Sequence, residues 1–268
     1  MCKRFSIVWI VLLLYVVGYF IICINTGKQD FLWLELSLLS LIVSMILLIK
    51  NHFPKRKYLI LSSVLTLLYL LSETFRFNAF TVIQGMILFL SCCASCSVFE
   101  KCGEHSLRWI RNDKKQDVFV SIVIGIVCGI LWGGINFLLM RGSNPVVQTN
   151  VFKALIVSLN PAILEEVACR CVFFAFCLSM AEGELKGRFQ RFTGWFMMIV
   201  PHILPHMLFS MTNGIIESIL SWLISLVLYI VVFGFVFAFL QKKRDVTSAM
   251  IAHGIVDWIR FCIFGLPI

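Results

Sequence analysis

The chain has 268 residues, of which 60% are hydrophobic and only 14% charged, with a formal net charge of +9 and a mean hydropathy of +0.95. No water-soluble core of this size uses so much apolar side chain, which excludes a soluble enzyme and a soluble domain carrying a single targeting segment. The positive excess sits in short loops beside predicted helix ends, where anionic lipid headgroups accept it, so nucleic acid is not needed as a partner.

In chain order, the apolar runs predict helices over Phe5–Asn25, Phe31–Ile49, Tyr58–Ser72, Phe77–Phe99, Val118–Met140, Ala154–Met180, Gly194–Asn213, Ile216–Leu240 and Val246–Pro267. A run of about 18 or more apolar residues is long enough to cross a bilayer as a helix. The first run is too long for a secretory h-region and lacks a small-residue cleavage site, so it reads as a retained span; Cys2 has no lipobox before it. Tyr58–Ser72 is short for a bilayer, and Asn160-Pro161 interrupts the sixth run, so the expected fold is an all-α polytopic membrane bundle of eight or nine transmembrane helices.

Basic residues recur at Lys3 and Arg4 and in the loops Lys50–Lys57, Lys101–Lys115, Lys186–Arg191 and Lys242–Arg244, which is every second connection. The positive-inside rule therefore predicts a multi-pass cell-membrane protein with a cytoplasmic N-terminus. There is no linker-like tract, low-complexity segment or internal repeat, so one membrane domain is expected. Within it, residues 1–150 supply helices of unassigned role and residues 151–268 hold the chemistry.

Of eleven cysteines, Cys92, Cys93 and Cys96, with Cys102 and His105 downstream, form the densest group. They lack the paired ligand motifs of a zinc site and read as small residues that let helices approach. Glu35, Glu217, Lys153 and Arg260 lie close enough to predicted helix ends to snorkel or pair locally.

Glu165, Glu166, Arg170, His202, His206, His253 and Asp257 have no such excuse, because they fall inside the sixth, seventh and ninth runs. A carboxylate at the bilayer centre costs on the order of 3 kcal/mol on insertion scales, so such residues mark functional sites with internal partners. If the three helices pack together, these groups share one water-filled cavity, the arrangement lipid tolerates best.

On a regular helix Glu166 and Arg170 stand at i, i+4 and are expected to form an ion pair, while Glu165 projects about 100° away and is the freer base. His253 and Asp257 have the same spacing, so the acid is placed to fix the imidazole's tautomer or to address one bound group together with it. His202 and His206 also share a predicted face. Pro201 and Pro205 precede them and open the backbone ladder.

These motifs resemble the CAAX protease and bacteriocin-processing family of intramembrane proteases, also called Abi proteins, whose pattern is E-E-x-x-x-R, then F-x-x-x-H, then H-x-x-x-N or H-x-x-x-D. Glu165-Glu166 to Arg170, His206 or His202, and His253 to Asp257 match it, and the resemblance covers about the last 120 residues. This sequence departs from the pattern where the aromatic before the second-motif histidine is absent for both candidates. It also ends the third motif in Asp257, where many members have Asn.

The resemblance implies an intramembrane endopeptidase acting on a membrane-associated peptide or protein at the cytoplasmic side, in CAAX or leader-peptide processing. Glu165 would activate water, His206 hold it, His253 stabilise the oxyanion, and Glu166 with Arg170 keep the site's shape. No cofactor is expected on this reading. A zinc ion held by Glu165, His206 and His253 is the metal alternative, although the spacing is not that of H-E-x-x-H. A non-catalytic bacteriocin-immunity or regulatory membrane protein, and an ion-coupled transporter, use the same residue types and are the remaining alternatives. With His253 about seven residues from its cytoplasmic helix end, roughly 10 Å at 1.5 Å per residue, the expected cavity opens to the cytoplasmic leaflet.

Overall fold

The computed structural model describes residues 3–112, 114–142, 145–211 and 214–266. Cys2, Asn213 and Pro267, on which expectations above depend, lie outside them. Among the described residues the regular structure is helical, apart from one isolated bridge between Val147 and Phe264. The helices are α1 (Ser6–Thr26), α2 (Gln29–Asn51), α3 (Arg56–Ser72), α4 (Ala79–Cys102), α5 (Lys115–Met140), α6 (Val151–Glu166), α7 (Val172–Met180), α8 (Arg188–Ile203), α9 (Ile215–Tyr229), α10 (Phe235–Lys243) and α11 (Val246–Phe264). Two π turns interrupt them, Val167–Cys171 between α6 and α7 and Ile230–Gly234 between α9 and α10.

Six helical stretches among the described residues are long and apolar enough to cross a membrane: Ser6–Thr26, Gln29–Asn51, Ala79–His105, Lys115–Met140, Ile215–Lys243 and Val246–Phe264. α1 shows why this is a membrane fold. Val8, Leu12, Tyr15, Tyr19 and Cys23 form its buried face, yet Ile10, Leu14, Ile21 and Ile24 on the other side are equally apolar and exposed. A helix apolar all round faces lipid where it does not face protein. α3 falls short at 17 residues and α8 at 16, and the run Val151–Met180 carries Lys153, Glu165, Glu166 and Arg170.

The chain divides into two compact units. The first comprises Met1–Leu59, Leu90–Ser106 and Val167–Ala238. Here the predicted helix Gly194–Asn213 is corrected: α8 begins earlier, at Arg188, and ends at Ile203, and Leu204–His206 is a single 3₁₀ turn. The prolines explain the early end. Pro205 has no N–H to give the carbonyl of Pro201, and the Tyr15 hydroxyl takes that carbonyl instead at 2.9 Å. Gln29 Nε2 donates to the Pro205 carbonyl (2.8 Å) and the Tyr19 hydroxyl to that of Met207 (3.0 Å). Side chains of α1 and α2 thus satisfy the backbone that the broken helix releases, and Trp222 Nε1 of α9 in turn donates to the Tyr19 hydroxyl (2.8 Å).

The second unit comprises Ile60–Phe89, Leu107–Glu166 and Phe239–Ile268. Its centre is α11, packed between α5 and α6. Gly125, Gly129 and Gly133 recur every fourth residue on α5, where an added Cβ would meet Ile251 at 2.7 Å, Ile255 at 2.7 Å and Ile259 at 2.6 Å. At Gly125 and Gly129 the carbonyls of Ser248 and Ala252 also lie only 2.9 Å from that position, so the two backbones are nearly in contact. Small residues at this spacing permit such close packing of helices in membranes. On the other side, Gly254 of α11 faces Ala162 and the Ser158 carbonyl of α6.

Asp245 caps the start of α11 and is fully buried. It accepts from Ser248 N (2.8 Å), Ser248 Oγ (2.5 Å) and Ser121 Oγ of α5 (2.5 Å), and Arg244 Nε lies 3.3 Å away. At the other end, Val147 N and Thr149 N donate to the carbonyls of Ile263 and Cys262. α11 is therefore pinned at both ends and along one face, which fixes the height and rotation of the side chains it carries.

Candidate functional site

Four of the sequence-predicted residues meet in the second unit. His253, one turn before Asp257 on α11, is buried with 6% of its surface exposed. Its Nδ1 lies 2.7 Å from Glu166 Oε1, and its Nε2 lies 3.3 Å from Asp257 Oδ2 and 3.6 Å from Glu165 Oε2. A carboxylate accepts, so Nδ1 is the donor to Glu166 and the ring's other nitrogen is turned toward Glu165 and Asp257. The imidazole thus sits among three carboxylates from two helices.

Glu166 is fully buried, and its second oxygen accepts from Gln241 Nε2 of α10 at 2.7 Å. The same amide also donates to the Glu166 carbonyl at 3.1 Å. Glu165 is more open, with 13% of its side chain exposed. Asp257 lies 3.2 Å from Arg260 Nε, one turn further along α11. Asp257 thus stands between a guanidinium and an imidazole.

Arg170, His202 and His206 belong to the first unit. The register between Glu166 and Arg170 differs from the α-helical one assumed in the sequence, because the π turn Val167–Cys171 begins directly after Glu166. A π turn inserts a residue into the helical repeat and recurs at functional sites. The Arg170 guanidinium is completely buried. Its NH1 donates to the carbonyls of Met198 (3.2 Å) and Gly234 (2.9 Å), its NH2 lies 2.8 Å from His202 Nδ1, and its Cζ stands 5.7 Å from the centre of the Phe237 ring.

His202 lies in the last turn of α8 and is 2% exposed; His206 stands on the 3₁₀ turn and is half-buried. Their Nε2 atoms are 3.4 Å apart and their rings meet edge to face. Trp33 abuts the His206 ring at 4.9 Å and 89°, and Tyr229 lies nearly parallel to it at 6.5 Å. His206 borders a cavity of about 410 Å³, lined also by Ser210, Glu217, Ser221, Ser225 and Tyr229.

Sequence reasoning missed Gln241 and the glycine series of α5. The glycines were visible as three small residues at intervals of four, whereas Gln241 sat beside Lys242 and Lys243 and read as a helix end. Arg260 pairs locally, with Asp257. Glu35 does not fit a snorkelling role: its Oε2 is buried and has no hydrogen-bond partner among the described residues, and Gly18 leaves the space for Oε1, which an added Cβ would meet at 2.0 Å.

Composition, the apolar spans and the helical architecture define a multi-pass helical membrane protein with ionisable side chains buried in its second unit. Residues 147–259 match the profile of the family described as type II CAAX prenyl endopeptidase Rce1-like, so this segment of the chain is similar to that family. No curated protein and no solved structure matches the chain.

Proposed function

We propose that the protein hydrolyses a peptide bond of a membrane-associated peptide or protein by water activated at Glu165, without a metal. The observation that carries this reading is the clamping of His253 Nδ1 by Glu166, which leaves Nε2 toward Glu165. In the proposed reaction Glu165 takes a proton from water while the water oxygen adds to the scissile carbonyl carbon. His253, as an imidazolium whose Nδ1–H is held by Glu166, donates its Nε2–H to the developing oxyanion; a preorganised donor of this kind is worth roughly 3 kcal/mol. The C–N bond then breaks as the proton held by Glu165 passes to the leaving amine. Glu166, Gln241 and Asp257 act by holding the imidazole, and the resemblance gives His206 the task of holding the attacking water.

The substrate is proposed to approach from the cytoplasmic leaflet, as the distribution of basic loops suggests. A peptide-cleavage assay in proteoliposomes tests the reading, with Glu165→Ala and His253→Ala as the informative variants. Cleavage that survives Glu165→Ala at normal protein level would mean that Glu165 is not the base. A biological phenotype that survives in the same variant would favour a binding or immunity role. Activity abolished by chelation and restored by zinc would replace the metal-free reaction with a metal-dependent one.

A further inference from the structure

The second motif offers two histidines, and the geometry points to a division of labour between them. We infer that Arg170 holds His202 as a neutral imidazole protonated on Nε2, which makes His202 a positioning residue for His206 and leaves His206 as the histidine that faces substrate. The assignment of His206 to catalysis rests on the protease reading above; the protonation pattern of His202 stands without it.

A guanidinium has five N–H donors, no acceptor, and does not lose its proton in proteins. At 2.8 Å from Arg170 NH2, His202 Nδ1 must therefore offer its lone pair. A protonated Nδ1 would set donor against donor and cation against cation inside a site where both residues are buried. Nor is Arg170 free to turn aside, because NH1 is anchored to two carbonyls, one from α8 and one from the π turn Ile230–Gly234. A neutral imidazole carries one N–H, so His202 carries it on Nε2.

Two consequences follow at the 3.4 Å contact with His206. His202 Nε2–H is the donor and His206 Nε2 the acceptor, which places the His206 proton on Nδ1. His202 Nε2 also has no lone pair left to ligate a metal or to accept a proton from water. Trp33 and Tyr229 hold the His206 ring plane, and His206 reaches the cavity that His202 does not line.

The test is nitrogen NMR of the full-length protein, labelled with ¹⁵N-histidine and reconstituted in lipid. The chain has five histidines, so single His→Gln substitutions assign the signals. The inference requires His202 to show an unprotonated Nδ1 and a protonated Nε2. A protonated Nδ1, an imidazolium at neutral pH, or one equivalent of zinc retained by the parent and lost in His202→Gln overturns it.

This readout does not depend on cleavage, so it separates failure of the inference from failure of the protease reading. In the cleavage assay, His202→Phe keeps a ring but neither hydrogen bond, and should lower kcat by about 100-fold with KM changed less than about threefold. His202→Gln, whose carbonyl can accept from Arg170 while its amide donates to His206, should recover activity to within about tenfold of the parent. Equal losses in folded His202→Phe and His202→Gln would refute the donor role.

Discussion

Glu166 Oε1 and His253 Nδ1 lie 2.7 Å apart, joining the end of α6 to the middle of α11 in a fully buried hydrogen bond. The Glu166 carboxylate orients the imidazole, and Gln241 orients the carboxylate. Replacing Gln241 by Leu removes the donor to Glu166 Oε2 and leaves a buried carboxylate oxygen short of a partner. The expected result is a kcat about 10-fold lower, KM little changed, and a stability loss of about 1–3 kcal/mol. Steady-state kinetics and thermal unfolding of the purified variant check both.

The glycines of α5 set the distance at which α11 packs. Gly129→Ala introduces a methyl 2.7 Å from Ile255 Cβ and 2.9 Å from the Ala252 carbonyl, and backbone cannot move aside as a flexible side chain can. A loss of about 1–3 kcal/mol is expected, in the range of overpacked cores. Gly134 is the internal control, because nothing lies within 4 Å of its added Cβ. Gly134→Ala should leave stability unchanged or raise it by about 0.5–1 kcal/mol through helix propensity. Unfolding temperatures of the pair, measured in one detergent, decide it.

Tyr15 supplies the hydroxyl that answers the Pro201 carbonyl. Tyr15→Phe keeps the ring and removes that donor, so it should cost about 1–3 kcal/mol. Restoring the missing amide donor with Pro205→Ala in the same chain should reduce the penalty. A double-mutant cycle on thermal stability reads this coupling, and strict additivity would break the link between the two residues.

Glu35 and Gly18 make a second, simpler test of packing. Gly18→Val drives a branched side chain into the place of the Glu35 carboxyl and should destabilise the protein by about 1–3 kcal/mol. Glu35→Gln keeps the shape and removes a chargeable group from a membrane-spanning helix, where charge is costly, so it should be tolerated. Expression level and unfolding temperature distinguish the two.

Much of the architecture was legible because a membrane span has a strong one-dimensional signal. The predicted run Val118–Met140 lies within Lys115–Met140 of the structure, and Ile216–Leu240 within Ile215–Lys243. What was not legible depends on backbone detail. Nothing in Val167–Cys171 announces a π turn, so the stretch reads in the sequence as regular α-helix. Pro205 did signal a break in the seventh run, but the partners of the released carbonyls, Tyr15 and Gln29, are more than 170 residues away and carry no local mark. The acids and histidines stood out because charge in an apolar run is conspicuous. Gln241, uncharged and next to two lysines, did not.

The proposal that Glu165 activates water is tested most directly by substituting its carboxylate with the isosteric amide. Glu165→Gln retains size and hydrogen bonding but cannot take the proton. In proteoliposomes with a peptide that the parent cleaves, and with the variant shown to unfold at the parent's temperature, kcat should fall by at least about 10³-fold. Cleavage within about threefold of the parent would contradict glutamate-activated hydrolysis at this position.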